Sequence, residues 1–289
     1  MSGTDATWNS ELGTRNSRDS GPVMLVGGEP FTQPFDRFHL RWLREVAVGS
    51  EETVSPPTAD RRPPTIVFLA TAAEIFPNDE TVDAAYRLGR MGRVLTLPAR
   101  TRIEADDADS AAAIMAADVV YLGDGDSGRL VRTLVGTAAG DAIIAAWRGG
   151  ATLIAAGAGA AGLCAVVPAR PDDVPARVGE PFFRIFPGFG LLPGIVVLPR
   201  YNRTPAVWLR RLKQSLADSR QPLAVGKSSS LLTAHGYPLT AIMGVDDVTA
   251  LVWRGAAWTV EGYGRVTLAD ADGERSYGTG ETVPLPIPE

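Results

Sequence analysis

The run Ala151-Thr152-Leu153-Ile154-Ala155-Ala156-Gly157-Ala158-Gly159-Ala160-Ala161-Gly162-Leu163-Cys164 decides how the rest of the chain is read. Its first part is apolar and of strand length, Gly157 to Gly159 can turn sharply, and the small residues beyond suit a helix lying close to a sheet. In α/β proteins such a junction forms an elbow that presents a reactive side chain at the end of a strand. Here the tip of the elbow, Gly157, carries no side chain.

Upstream, short apolar runs at Pro22–Val26, Thr65–Ala70, Arg93–Leu97 and Asp118–Leu122 read as buried strands. Helical spacing fills the intervals: Phe35–Val48, Thr81–Met91, Asp106–Ala116, and a stretch from Arg129 through Trp147. This alternation predicts a parallel sheet with helices on both faces. Ligands in that architecture meet the loops at the carboxyl ends of the strands. Those loops are Gly27–Glu29, Thr71–Glu74, Gly123–Gly128 and Gly157–Ala160. Downstream, Arg170–Pro187 reads as a surface loop, Gly190–Leu198 as a strand and Ala206–Leu216 as a basic helix. Leu223–Val225 and Ala241–Gly244 are short strand candidates. Val248–Trp253, Ala257–Val260 and Arg265–Leu268, broken by glycine, predict a closing antiparallel meander.

The chain has 289 residues, enough for one α/β domain of roughly 200–250 residues with loose ends. The expected limits are a tail at 1–21, one domain at 22–270 and a loosely packed tail at 271–289. Hydrophobic residues make up 45% and charged residues 21%, a globular balance. Net charge is −5 with Lys and Arg scattered, which argues against a nucleic-acid partner. The single cysteine, Cys164, supports neither a disulfide framework nor a Cys/His metal cluster. It falls in an apolar segment and reads as structural. Met1–Gly21 is polar without an apolar core, and no run approaches the ~20 apolar residues of a membrane span. The expectation is a cytoplasmic protein without cofactor, metal or membrane partner; a homodimer stays open.

Several stretches resemble one family. Tyr121-Leu122-Gly123-Asp124-Gly125-Asp126-Ser127-Gly128-Arg129-Leu130 resembles the strand and Gly-Gly-Asp-Gln loop of the cyanophycinase and dipeptidase E family of serine peptidases. Ala155-Ala156-Gly157-Ala158-Gly159-Ala160 is similar to its Gly-Thr-Ser-Ala-Gly-Ala elbow. Gly188-Phe189-Gly190-Leu191-Leu192 and the strand after it resemble the segment that delivers the family's histidine. Gly244-Val245-Asp246-Asp247-Val248-Thr249-Ala250-Leu251 resembles Gly-Ile-Asp-Glu-x-Thr-Ala-Leu, and Gly262-Tyr263-Gly264-Arg265-Val266-Thr267 the closing strand. The order holds from about Val23 to Asp270. The resemblance implies a flavodoxin-like three-layer αβα sandwich, shared with class I glutamine amidotransferases. Its central sheet is mostly parallel, with a C-terminal antiparallel meander.

By the same resemblance the family's serine falls on Gly157, its histidine on Arg200 and its glutamate on Asp247. No catalytic residue set is intact: glycine has no hydroxyl, and a guanidinium stays protonated to a pKa above about 12. The resemblance places an oxyanion hole at the N–H groups of Ala158 and Gly125, and a helix N-terminus there would favour anions. Arg200 adds a fork that suits a carboxylate, although it also matches Asp247 as a partner. Asp124 and Asp126 would repel an anion and could hold an amine. The expected ligand-binding residues are therefore Gly125, Asp126, Ser127, Ala158, Arg200 and Asp247. The implied protein is a pseudoenzyme that binds a small molecule or a peptide terminus. Two alternatives remain: a hydrolase with a relocated nucleophile such as Ser127, or an interaction protein with a vestigial site. Ser228–Ser230 reads as a polar turn, and His39 and His235 as structural or surface histidines.

Overall fold

Strands and helices alternate through the first half: β1 (Val23–Val26), α1 (Phe35–Val48), β2 (Thr65–Leu69), α2 (Asp79–Gly89), β3 (Arg93–Leu97), α3 (Arg102–Ala105), α4 (Ala108–Met115), β4 (Val119–Leu122), α5 (Ser127–Leu134), α6 (Ala138–Arg148), β5 (Thr152–Ala156) and α7 (Ala158–Gly162). The second half is rich in strands: β6 (Val166–Ala169), β7 (Arg184–Pro187), β8 (Ile195–Pro199), a 3-10 turn at Tyr201–Arg203, α8 (Ala206–Ser219), β9 (Ala241–Val245), β10 (Thr249–Trp253), β11 (Trp258–Gly262), β12 (Val266–Asp270), β13 (Gly273–Tyr277) and β14 (Thr282–Val283). This computed structural model describes residues 20–33, 35–48, 63–169, 183–219 and 239–288.

The main sheet runs β14-β11-β10-β1-β5-β4-β2-β3. From β1 to β3 all pairs are parallel, and β10, β11 and β14 extend the sheet antiparallel from the other side of β1. Side chains along a strand point alternately to opposite faces. That rule separates two cores. Val23, Leu25, Val67, Leu69, Val120 and Leu122 pack with α4–α7, while Met24, Val26, Ile66, Phe68, Val119 and Tyr121 pack against Phe35, Trp42, Ala84 and Leu88 of α1 and α2. The result is the expected three-layer αβα sandwich. Helix starts carry side-chain caps: Asn78 and Thr81 form a capping box on α2, and Asp107 and Thr137 cap α4 and α6.

Four local expectations change. The stretch 129–147 is two helices, because Gly136 takes φ +70° and Thr137 caps a new start. The C-terminal strands divide between sheets: β12 leaves the hairpin β10–β11 and joins β13-β12-β9-β8. Part of the stretch read as a loop at 170–187 is β7, hairpinned to β6. Residues 271–288 are not a loose tail. There β13 pairs with β12 and β14 with β11, and the Trp258 indole donates to the Pro286 carbonyl at 2.9 Å. Leu223–Val225, Ser228–Ser230 and His235 lie outside the described residues. Among the described residues no single helix is long and apolar enough to cross a membrane.

Cys164 is structural as read: its Sγ accepts the Val197 N–H at 3.2 Å, and burial pushes the thiol up to about 12. His39 is buried on α1 among Phe31, Phe35 and Tyr121, with ring centroids 5.6–6.0 Å away. Neither of its nitrogens finds a hydrogen bond among the described residues, and burial lowers its pKa to about 3. A neutral histidine in the folded state and a titrating one in the unfolded chain make stability fall with pH. The loss begins below the unfolded value of about 6.5 and continues toward the folded value. At pH 5 the cost is about 2 kcal/mol relative to neutral pH. His39→Phe, which suits the aromatic surroundings, is expected to remove about that much of the difference between pH 7 and pH 5 in urea unfolding.

Candidate functional site

The parallel register of β4 and β5 pairs Leu122 with Ala155, so two residues on, Asp124 runs alongside Gly157. Gly157 sits at φ +50°, ψ −107°, and its N–H is fixed to the Val26 carbonyl at 2.8 Å. Few side chains tolerate that backbone, and elbows that bear a nucleophile hold it under strain. A Cβ here would lie 1.8 Å from Asp124 Oδ1 and 2.1 Å from its Cγ. The Asp124 carboxylate therefore fills the volume that a side chain at 157 would need. Its Oδ1 accepts the Gly125 N–H at 2.7 Å, the Ala158 N–H at 3.0 Å and Arg200 Nη1 at 3.4 Å. Oδ2 lies 2.5 Å from Arg200 Nη2, an ion pair without the alignment of a hydrogen bond.

Arg200 follows β8 in the left-handed conformation, φ +53°, with its N–H on the Gly27 carbonyl at 2.9 Å. Asp247 arrives because β10 lies antiparallel to β1, with Val26 opposite Ala250, which puts the turn before β10 at the end of β1. Its carboxylate meets Arg203 Nε at 2.7 Å and Arg200 Nε at 3.7 Å, and its N–H donates to Asn202 Oδ1 at 3.0 Å. Burial pushes the Asp247 carboxyl above its ordinary range; Arg203 and Arg200 oppose the shift and Glu29 adds to it. Arg203 also pairs with Glu29 at 2.8 Å. Glu29 and Val248 share positive φ with Arg200, at +51° and +52°.

The structure thus brings together Gly125, Gly157, Ala158, Arg200 and Asp247. Asp126 and Ser127 stand apart: Asp126 caps α5 by accepting the Arg129 N–H at 2.6 Å, and Ser127 opens that helix. Asp124 is corrected most. It does not stand beside the pair of N–H groups and repel anions; it occupies them. Helix α7 has five residues, too short for a sizeable dipole to add to the donors. The cavity beside Asp124, lined by Phe31, Phe68, Tyr121 and Ala156, is about 10 Å³, room for about one water. A wider groove of about 430 Å³, lined by Phe38, Arg41, Arg254 and Tyr263, includes none of these site residues. Asn202 and Arg203 are not singled out by any sequence motif, and Glu29 is marked only as the end of a strand-end loop. Among the described residues no group of three or more His, Cys, Asp or Glu forms a metal site.

The fold is an αβα sandwich with a glycine elbow at the end of β5. The profile of Peptidase family S51 matches residues 52–259, and the chain belongs to that family. The crystal structure of a peptidase from an acI-B1 Actinobacterium is similar, with TM-score 0.67 and 22% identity over 93% of this chain and 98% of that one. A candidate peptidase E protein from Listeria monocytogenes EGD-e has TM-score 0.54 and 16% identity over 85% of this chain and all of that one (100%). At those identities the likeness carries the fold alone. No curated protein matches.

Gly244 on β9 holds the 3-10 turn in place, because a Cβ there would lie 2.2 Å from the Tyr201 ring. Tyr201 follows Arg200 directly and opens the turn that ends at Arg203. Gly244→Ala is expected to cost about 1–3 kcal/mol in thermal unfolding through overpacking. It should also loosen both arginines, read as faster proteolysis of the turn under native conditions.

Proposed function

We propose that this member of family S51 does not cleave peptides by the family's serine mechanism, and that its elbow region binds a small carboxylate, an amino acid or a peptide terminus. The observation that carries this is the convergence of the Gly125 and Ala158 N–H groups and of Arg200 on one carboxylate, that of Asp124. Acyl transfer at a serine requires a hydroxyl within reach of a base and donors free to receive the oxyanion. At the positions where the resemblance puts the family's serine and histidine, Gly157 offers no hydroxyl and Arg200 cannot accept a proton. The donors are already engaged. The remnant left when such a triad is lost, about 10³–10⁴-fold over water, is too small for peptide cleavage. Holding a carboxylate is what these groups do well: backbone N–H donors beside a planar guanidinium, whose side chain is 40% exposed and so can be reached from solvent. Asp124 and Asp126 are both engaged, which favours recognition through the carboxylate of a ligand over its amine.

The reading of an interaction protein with a vestigial site has observations of its own. Ile75, Val82 and Tyr86 are exposed at 69%, 58% and 69%, the last two one turn apart on α2. Concentration-dependent dimerisation that Val82→Asp with Tyr86→Asp abolishes would move the conclusion there.

Peptidase assays with dipeptides and short peptides should give no turnover for the unaltered chain. Gly157→Ser with Arg200→His should remain inactive, because Asp124 fills the space of the new serine, and adding Asp124→Gly should bring hydrolysis up. Turnover by the unaltered chain would overturn the assignment. Calorimetric titration with amino acids and dipeptides should give binding that Arg200→Gln removes, and no heat with any of them would favour the vestigial reading.

A further inference from the structure

The side chain of Asp124 is 1% exposed, yet only half of its carboxylate is well bonded. Oδ1 has two backbone N–H donors, whereas Oδ2 rests on Arg200 without an aligned hydrogen bond. The slot it fills belongs to the neighbouring loop and exists only because residue 157 is glycine. Arg200 also has a second carboxylate, Asp247, 3.7 Å from Nε, so the guanidinium keeps a counter-charge when Asp124 withdraws. Gly123 and Gly125 flank Asp124, and Gly125 is exposed at φ +140° on the solvent side of the loop.

We infer that Asp124 is a displaceable internal occupant: a carboxylate from solution takes its place against the Gly125 and Ala158 N–H groups and Arg200, and the site is closed to anions until that exchange occurs. This rests on reading the elbow as a carboxylate site and adds what gates it. One planar carboxylate replaces another against the same donors, so the charge facing Arg200 is unchanged while Asp124 regains water. The slot holds one flat CO₂⁻ group, that of Asp124, whose planar fork on Arg200 and the two N–H groups favours a carboxylate over a tetrahedral anion.

The probe is formate, titrated at constant ionic strength into the full-length chain and its Asp124→Ala variant, with thermal unfolding and calorimetry as readouts. Formate should bind the unaltered chain weakly and the variant at least tenfold more tightly, restoring the melting temperature that the variant loses. Sulfate should do neither, and adding Arg200→Gln should abolish the response. Equal affinity for the two proteins, no binding by the unaltered chain, or a response that survives Arg200→Gln would overturn the exchange. Should the variant not fold in anion-free buffer, folding that depends on formate supports the exchange, and failure at every formate concentration refutes it. Formate binding without any amino acid or dipeptide binding would leave the exchange standing and remove the proposed ligands. Amino acids bound equally with and without Asp124 would do the reverse.

Discussion

A buried carboxylate is stable only where donors and a counter-charge are supplied together, and the strand-end cluster is organised by how Asp124 obtains both. The glycine at 157 gives it room, the turns after β4 and β5 give it N–H groups, and the turn after β8 gives it Arg200. Each supplier is fixed by a different part of the sheet. Gly157 is tied to the end of β1, Arg200 to Gly27 just beyond it, and Val248, next to Asp247, to Gly28 at 3.2 Å. The end of β1, where the parallel and antiparallel halves of the sheet meet, is thus the anchor for the whole charged cluster. Removing one member leaves a charge without its partner in a dry place, which costs more than the pair contributes when intact.

Much of the fold could be read from residues. Strands buried on both faces are short apolar runs, and the helices between them carry one apolar stripe and a capping residue, so period and cap agree. Val119–Leu122 and Thr152–Ala156 are legible on those grounds alone. The misreadings have physical sources. A single glycine and a capping threonine, Gly136 and Thr137, split one apolar stretch into two helices without altering its periodicity. Gly273–Tyr277 is a polar edge strand whose side chains are largely exposed, so nothing in its hydropathy marks it as paired. Which sheet β12 joins depends on long-range pairing with β9, which local pattern does not encode.

The site was half legible. The elbow, Arg200 and Asp247 follow from motifs, because a motif fixes backbone placement. The role of Asp124 does not follow, because it depends on register: only with Leu122 opposite Ala155 does an aspartate in one loop face a missing side chain in the next. The two features were both visible, a glycine where an elbow carries a side chain and an extra carboxylate one loop away. What joined them was strand pairing. The pairing of Arg203 with Glu29 is illegible for a related reason, as it spans loops that approach only once β1 and β8 are in place.

Whether such a cluster is a remnant or a working part can be argued from its backbone. Glu29, Arg200 and Val248 all hold φ near +50°, a conformation that costs a residue with a side chain about 1–3 kcal/mol and relaxes unless its surroundings enforce it. They lie in the turns that present Glu29, Arg200 and Asp247. Glycine at any of these positions would hold the same backbone with less strain, and side chains are used where two of the three, Glu29 and Arg200, make ion pairs within the cluster. The folding free energy of the rest of the molecule therefore maintains a specific arrangement of charges at the strand ends. That strain is the cost of aiming Arg200 at Asp124 and of seating Asp247 against Arg203.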